Sequence, residues 1–233
     1  MNLRYTVLMM PAFLIGCASL PPLDGRTESR YLDTPSSPRL EASLKLAHKK
    51  QPADSDADTS DVYLLNDAHD AFVARAELID AADHTLDIQY YIWHNDISGK
   101  LLFNLVHRAA ERGVRVRLLL DDNNTDGLDN ILLALDSHPN IEIRLFNPFV
   151  SRRWRALGYL TDFPRLNRRM HNKSLTADNR ATIVGGRNIG DEYFKVGEDT
   201  VFADLDILAT GKVVTEVSED FDRYWASNSA YPA

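Results

Sequence analysis

Within eighteen residues the chain places an imidazole (His171), an ammonium (Lys173), a carboxylate (Asp178), two adjacent glycines (Gly185 and Gly186) and a side-chain amide (Asn188). In an extended stretch side chains repeat every second residue, so His171 and Lys173 point into one cleft while Asn172 points away. That set suits phosphodiester chemistry. A neutral imidazole can attack phosphorus and form a covalent phosphoenzyme, dividing one hard displacement into two easier ones. Lys173 supplies a compact positive charge for the non-bridging oxygens, and Asn188 adds a neutral donor to the same phosphate. Gly185-Gly186 removes side chains where backbone must turn or approach closely, and Gly186 is grouped with Asn188 at the phosphate. The chemistry calls for no metal or other cofactor, and no Asp/Glu/His cluster stands at ligand spacing. A surface strand with scattered polar residues is the bland alternative, but it leaves the His/Lys pair and its Gly-Gly-x-Asn tail unexplained.

Written H-x-K-x4-D-x6-G-G-x-N, the run resembles the signature of the phospholipase D superfamily. The resemblance implies that Asp178 belongs to the catalytic set in a supporting role, buried among hydrogen bonds. Asp87-Ile88-Gln89-Tyr90-Tyr91-Ile92-Trp93, Arg115-Val116-Arg117-Leu118-Leu119-Leu120-Asp121-Asp122 and the run from Gly185 to Phe194 resemble the amino half of bacterial cardiolipin synthase-type phospholipase D lipoproteins. The likeness covers residues 62–225. It implies a layered α/β/α sandwich around a mixed, largely buried sheet, and phosphatidyl transfer between phospholipids with cardiolipin as product. Such proteins build one site from two motif copies on two lobes, one histidine acting as nucleophile and the other as acid and then base. One copy exists here. Three arrangements stay open: a second motif-bearing lobe from the same or a split gene, a homodimeric phosphodiesterase or endonuclease with its site across a two-fold axis, and a catalytically incomplete anchored fragment. Residues 228–233 would begin the link to a second lobe.

Residues 1–17 read as an export signal, with Arg4 as its charge and an apolar core from Thr6 to Ile15. That core is too short for a bilayer span, which needs about 20 residues. Leu14-Ile15-Gly16-Cys17 looks like a bacterial lipobox with lipid on Cys17, the single cysteine of the chain. An ordinary secretory signal with an incidental cysteine is the alternative. The expected location is the periplasmic side of a bacterial envelope. The outer membrane is preferred because no aspartate follows Cys17 to suggest inner-membrane retention. Residues 18–61, rich in Pro, Ser and charge, read as a flexible tether with at most a short helix around Leu40 to Lys49.

From Val62 onward helix-like and strand-like segments alternate, implying an α/β layer fold with a buried sheet. Strands are expected near Thr85 to Trp93, Val114 to Leu120, Ile141 to Phe146, Ala181 to Val184 and Phe202 to Leu208. Helices are expected near Asp67 to Ala82, Ser98 to Arg112, Leu128 to Leu135 and Val213 to Trp225. The net charge of −8 argues against a nucleic-acid partner. The charge is uneven: Arg152, Arg153, Arg155, Arg165, Arg168 and Arg169 precede the motif, opposed there only by Asp162. Arginines beside a phosphate site would concentrate anionic phospholipids. Trp154, Leu157 and Leu160 recur every three residues among them. They fit a short helix dipping into an anionic lipid surface, or a solvated loop over the site. Tyr91, Trp93 and Arg169 are candidates to line the substrate, because α/β folds hold ligands outside the carboxyl ends of strands. Core packing is the competing account for the aromatics, and a turn or cap for Asp121 and Asp122.

Overall fold

Strand alternation divides the sheet's residues between two chemically different faces, and that division positions everything else. The computed structural model describes residues 20–34, 36–48, 59–152, 155–197 and 202–233. Along the chain run α1 (Pro38–His48), β1 (Ser60–Leu65), α2 (Ala68–Ala81), β2 (Thr85–Tyr90), α3 (Ile97–Glu111), β3 (Arg115–Asp121), α4 (Asp129–Asp136), β4 (Ile141–Phe146), α5 (Arg155–Thr161), α6 (Phe163–Leu166), β5 (Ser174–Ala177), β6 (Ala181–Gly185), α7 (Asp191–Phe194), β7 (Asp206–Gly211), α8 (Lys212–Trp225) and β8 (Ala230–Pro232). The described residues form one mixed sheet in the order β1-β7-β6-β5-β2-β3-β4-β8. β2, β3 and β4 run parallel and the other neighbours antiparallel. The α/β layering around a mixed sheet is the one the sequence implies.

One face is apolar. Leu86, Ile88 and Tyr90 of β2 and Val116, Leu118 and Leu120 of β3 are fully buried there with Leu78 and Ile79 of α2 and Leu102 and Val106 of α3. Each contributes about 1.5–3 kcal/mol on burial. Asp67 caps α2 by accepting from the His69 and Asp70 amides, and α3 ends before Gly113, whose φ of 95° suits glycine.

The other face is polar and lies under α8, whose Val214, Ser218, Phe221 and Trp225 form its buried stripe. Arg117 of β3 grips Asp87 of β2 through two hydrogen bonds of 2.7 Å and sits 2.8 Å from Asp222 of α8. Arg144 of β4 lies 4.0 Å from the Trp225 ring centroid. Buried guanidinium groups need every donor satisfied, and this requirement recruits the chain before the lobe.

The expected tether is therefore corrected over its described part. Ser29 and Thr27 offer their carbonyls to Arg117 and Arg144, and Arg30 to Arg115. Arg26 donates to the carbonyls of Ala226, Ser227 and Ala230. Leu40 of α1 is buried in the apolar core. Residues 20–34 and 36–48 thus form a strap packed on the lobe, while the remainder of the expected tether before Thr59 lies outside the described residues. Three boundaries also move. The sheet starts at Ser60, on an edge strand too exposed to show alternation. Residues 228–233 contribute β8, paired with β4, where a link was expected. β7 begins at Asp206, not Phe202, because the Phe202 amide bonds to the Glu192 carbonyl and the segment first crosses α7. Among the described residues no helix is long and apolar enough to cross a membrane. The signal and Cys17 lie outside them.

Candidate active site

β5 pairs antiparallel with β2, Ser174 opposite Gln89 and Ala177 opposite Leu86. His171 and Lys173, just ahead of β5, therefore stand at the carboxyl end of β2. They lie before the strand, not on it as the sequence placed them, and they meet there: Lys173 Nζ lies 3.1 Å from His171 Nδ1 and donates to the His171 carbonyl at 2.8 Å. Asn172 points the other way and donates to Asp220 of α8. The Tyr91 ring lies 4.3 Å from the His171 ring, and Lys173 Nζ sits 5.7 Å from the Tyr91 centroid. Partial burial lowers the Lys173 pKa from the ordinary lysine value, while the carboxylates of Asp204 and Asp206 favour its charged form.

Asn188 is buried and its amide is held at both ends. Its Oδ1 accepts from the Ile92 amide and its Nδ2 donates to Tyr193 Oη, each at 3.0 Å. The backbone beside it bonds back to the segment after β2, Ile189 N to Ile92 O and His94 N to Ile189 O. The motif's tail is thus stitched to the end of β2.

The two glycines serve close approach. A Cβ on Gly185 would lie 2.1 Å from Asp206 Oδ1, and one on Gly186 would lie 2.4 Å from Asp204 Oδ1. The Gly186 amide is committed to the Leu205 carbonyl, which corrects its expected part in holding phosphate. What it provides is room for Asp204.

The structure places Asp178 apart from His171 and Lys173, in a supporting position. It lies at the far end of β5, fully buried, accepting from the amides of Asp83, His84 and Thr85 at 2.8–2.9 Å. It fixes the start of β2 and hence the register of the whole motif. Trp93 is likewise core, stacked on Phe103 at 4.4 Å with its indole N–H on the Gly99 carbonyl. Arg169 is tied to Asp121 at 3.0 Å, and Asp122 holds Arg152 and, at 3.7 Å, Arg155. Much of the arginine charge before the motif is therefore spent on the fold. Burial raises the Asp121 pKa against Arg169 and the amides of Asn123 and Met170. Asp121 and Asp122 act as caps and ion-pair partners, the simpler account.

Several residues were not picked out from the sequence. Asp206 sits beneath the site, receiving Arg75 at 2.9 Å and Arg187 at 3.2 Å, while Arg75 also donates to Tyr90 Oη. Arg187, inside the motif's tail, and Arg75, on the buried stripe of α2, were the available signals: a charge on an apolar face needs a buried partner. Asp204 and Tyr193 complete the surroundings. The fold also gathers His94, Asp96 and Glu192, whose ligand atoms lie within 4.8 Å of one another, a cluster that sequence spacing did not disclose. These groups are engaged locally: His94 pairs with Glu192 at 3.1 Å, and Asp96 accepts from Gly99 and Asp191 amides.

A mixed sheet with a His-x-Lys pair at a strand end, backed by a buried Asn, defines a phospholipase D-like lobe. The same fold occurs in Nuc from Salmonella typhimurium, a phospholipase D family member (TM-score 0.54, 18% identity, 75% of this chain and 99% of that one). It also occurs in the phosphatidylserine synthase of Haemophilus influenzae Rd KW20 (TM-score 0.57, 14% identity, 83% of this chain and 43% of that one). Residues 76–225 match the family described as cardiolipin synthase, PLD-like domain, and the chain belongs to that family of enzymes. It is 62% identical over 171 residues to cardiolipin synthase C of Escherichia coli (strain K12), covering 73% of this chain and 36% of that protein. The chain spans about a third of the length of the curated relatives it matches.

Proposed function

We propose that this lobe supplies the nucleophile for phosphatidyl transfer between phospholipids, through a covalent phosphohistidine on His171, and that a second motif-bearing lobe provides the acid and base. The contact of His171 with Lys173, walled by Tyr91, carries the reading, and 62% identity to a cardiolipin synthase supports its lipid substrate. An ammonium only donates, so its contact leaves the imidazole proton on Nε2 when the pair is alone. A phosphate that draws Lys173 to its oxygens frees Nδ1 for that proton and Nε2 for attack. Nε2 then bonds to phosphorus as the P–O bond to the leaving alcohol breaks, and the second lobe's acid protonates that alcohol. An acceptor hydroxyl later reverses the step, losing its proton to the same group. The free N–H of Asn188 adds a donor to the phosphate.

The anchor belongs to the same reading: Cys17 carries lipid and holds the lobe at the periplasmic side of the envelope. Mass spectrometry of the residue 17 peptide tests it, since an unmodified cysteine refutes the anchor. For the reaction, the whole protein is incubated with phosphatidylglycerol, with phosphatidylethanolamine and, separately, with DNA, and quenched in alkali. Label on His171 from lipid phosphate, lost in His171→Ala, is expected. Turnover of DNA without lipid would establish the nuclease alternative instead. A homodimer active without any second motif would remove the second lobe from the proposal.

A further inference from the structure

We propose that the α5–α6 segment is a docking prow that inserts into an anionic lipid surface and holds the His171 end of the sheet against it. Exposed apolar residues are common singly, but here they gather. Val150 is 42% exposed, Phe163 55% and Leu160 82%, all within fourteen residues. Six arginines fall in the same stretch of sequence, of which Arg152 and Arg155 pair with Asp122, Arg165 with Asp162 and Arg169 with Asp121. Arg168 is exposed and makes no ion pair among the described residues. An exposed apolar tip beside the exposed Arg168 guanidinium matches the layering of a bilayer with anionic headgroups.

The prow is rigidly mounted on the catalytic end. Phe149 donates its amide to Asp122, just past β3, and Tyr159 donates to Asn123. Arg155 and Arg169 lie 5.8 and 5.2 Å from the Phe149 ring centroid. Gly158 lets α5 close down on this base, since a Cβ there would lie 2.9 Å from Leu166 Cδ1 and 3.2 Å from Phe149 Cδ1. From Leu166 the chain runs through Arg169 and Met170, both held by Asp121, directly into His171. The ion pairs that occupy the inner arginines thus build a platform. Leu160, Phe163 and Arg168 are left outside it. Trp154 lies outside the described residues, as does the side chain of Leu157.

The proposal rests on the lipid-substrate reading, and its test separates the two. The full chain with Cys17→Ser, which removes the only native thiol, takes a single new cysteine at Leu160→Cys carrying an environment-sensitive fluorophore. The control is Leu133→Cys on α4, a leucine 67% exposed. Vesicles of phosphatidylglycerol and phosphatidylethanolamine with brominated acyl chains should quench and blue-shift the probe at 160 and leave that at 133 unchanged. Vesicles of phosphatidylcholine alone should give a much weaker response. Leu160→Ser with Phe163→Ser should weaken partitioning about tenfold or more while leaving turnover of a water-soluble phosphodiester unchanged. Equal responses at 160 and 133 overturn the proposal. So does a probe at 160 already shielded before vesicles are added, in a protein of doubled mass, because a second copy then occupies the prow. Insertion without lipid turnover would instead sink the transferase reading and keep the prow.

Discussion

The two ends of β5 are built in opposite ways. At Asp178 each carboxylate oxygen accepts backbone amides from the start of β2, and the residue is sealed from water. At His171 an ammonium sits partly desolvated against an imidazole, and its charge is disfavoured relative to water. One end adds stability and the other carries reactive charge at a cost to it. The strand between them transmits position: with Asp178 locked, the pairing of β5 with β2 admits one register, and Lys173 and His171 inherit it. Rigidity and reactivity are thus separated along a single four-residue strand.

The largest expected effect lies at the reactive end. Lys173→Ala should lower turnover of the assembled enzyme by about 10²–10³, with a melting temperature within about 2 °C of wild type. A large loss of stability in this variant would break the contrast. Next comes Asp178→Ala, which unpairs the buried Thr85 amide and the partly buried amides of Asp83 and His84, at about 1–3 kcal/mol each. Thermal melts should fall by about 6 °C or more, while the fraction that stays folded keeps its specific activity. A stable Asp178→Ala protein with a purely kinetic defect would make the residue catalytic. Tyr193→Phe removes the hydroxyl that orients Asn188, and the loss of about 1 kcal/mol should cost roughly fivefold in turnover. A wild-type rate would show that Asn188 needs no such hold.

The smallest effect sharpens the comparison by its sign. The folded pKa of Lys173 is lowered, so between that value and the ordinary lysine value the unfolded chain holds more protons than the folded one. Stability then rises with pH across this window and the lysine's cost is removed above it. Below the window, at neutral pH, Lys173→Met should melt slightly above wild type. The gap should close as alkaline pH is approached in paired denaturation curves, and a widening gap would refute the account.

The reactive end was legible in the sequence because its geometry is local. The two residues are separated by one position, and no other part of the chain is needed to bring His171 to Lys173. Tyr91 could be suspected from its place at a strand end. Trp93, two residues on, would share its face if the strand continued, but β2 ends at Tyr90 and Trp93 packs into the core on Phe103. The role of Asp178 depended on strand pairing with residues nearly a hundred positions earlier, which no spacing rule reveals. The same holds for Asp206, whose partners Arg75 and Arg187 arrive from a distant helix and from the motif's tail. The strap has the composition of a linker, so its sequence carries no mark of packing. It is ordered by its backbone carbonyls, which any sequence offers, at the demand of arginines elsewhere.

That strap also sets an order of events as the chain folds. Arg26 closes onto Ala226, Ser227 and Ala230, about two hundred residues further along. Contacts so distant in sequence are slow to form, since the loop between them must be closed before they repay its entropy. Residue 26 leaves the ribosome early and must wait for residue 230. During that interval Arg117 and Arg144 lack their acceptors from the strap, and the polar layer beneath α8 stays unfinished. The seam between the first and last described segments is therefore expected to close late, and a newly made chain should stay sensitive to proteases until it shuts.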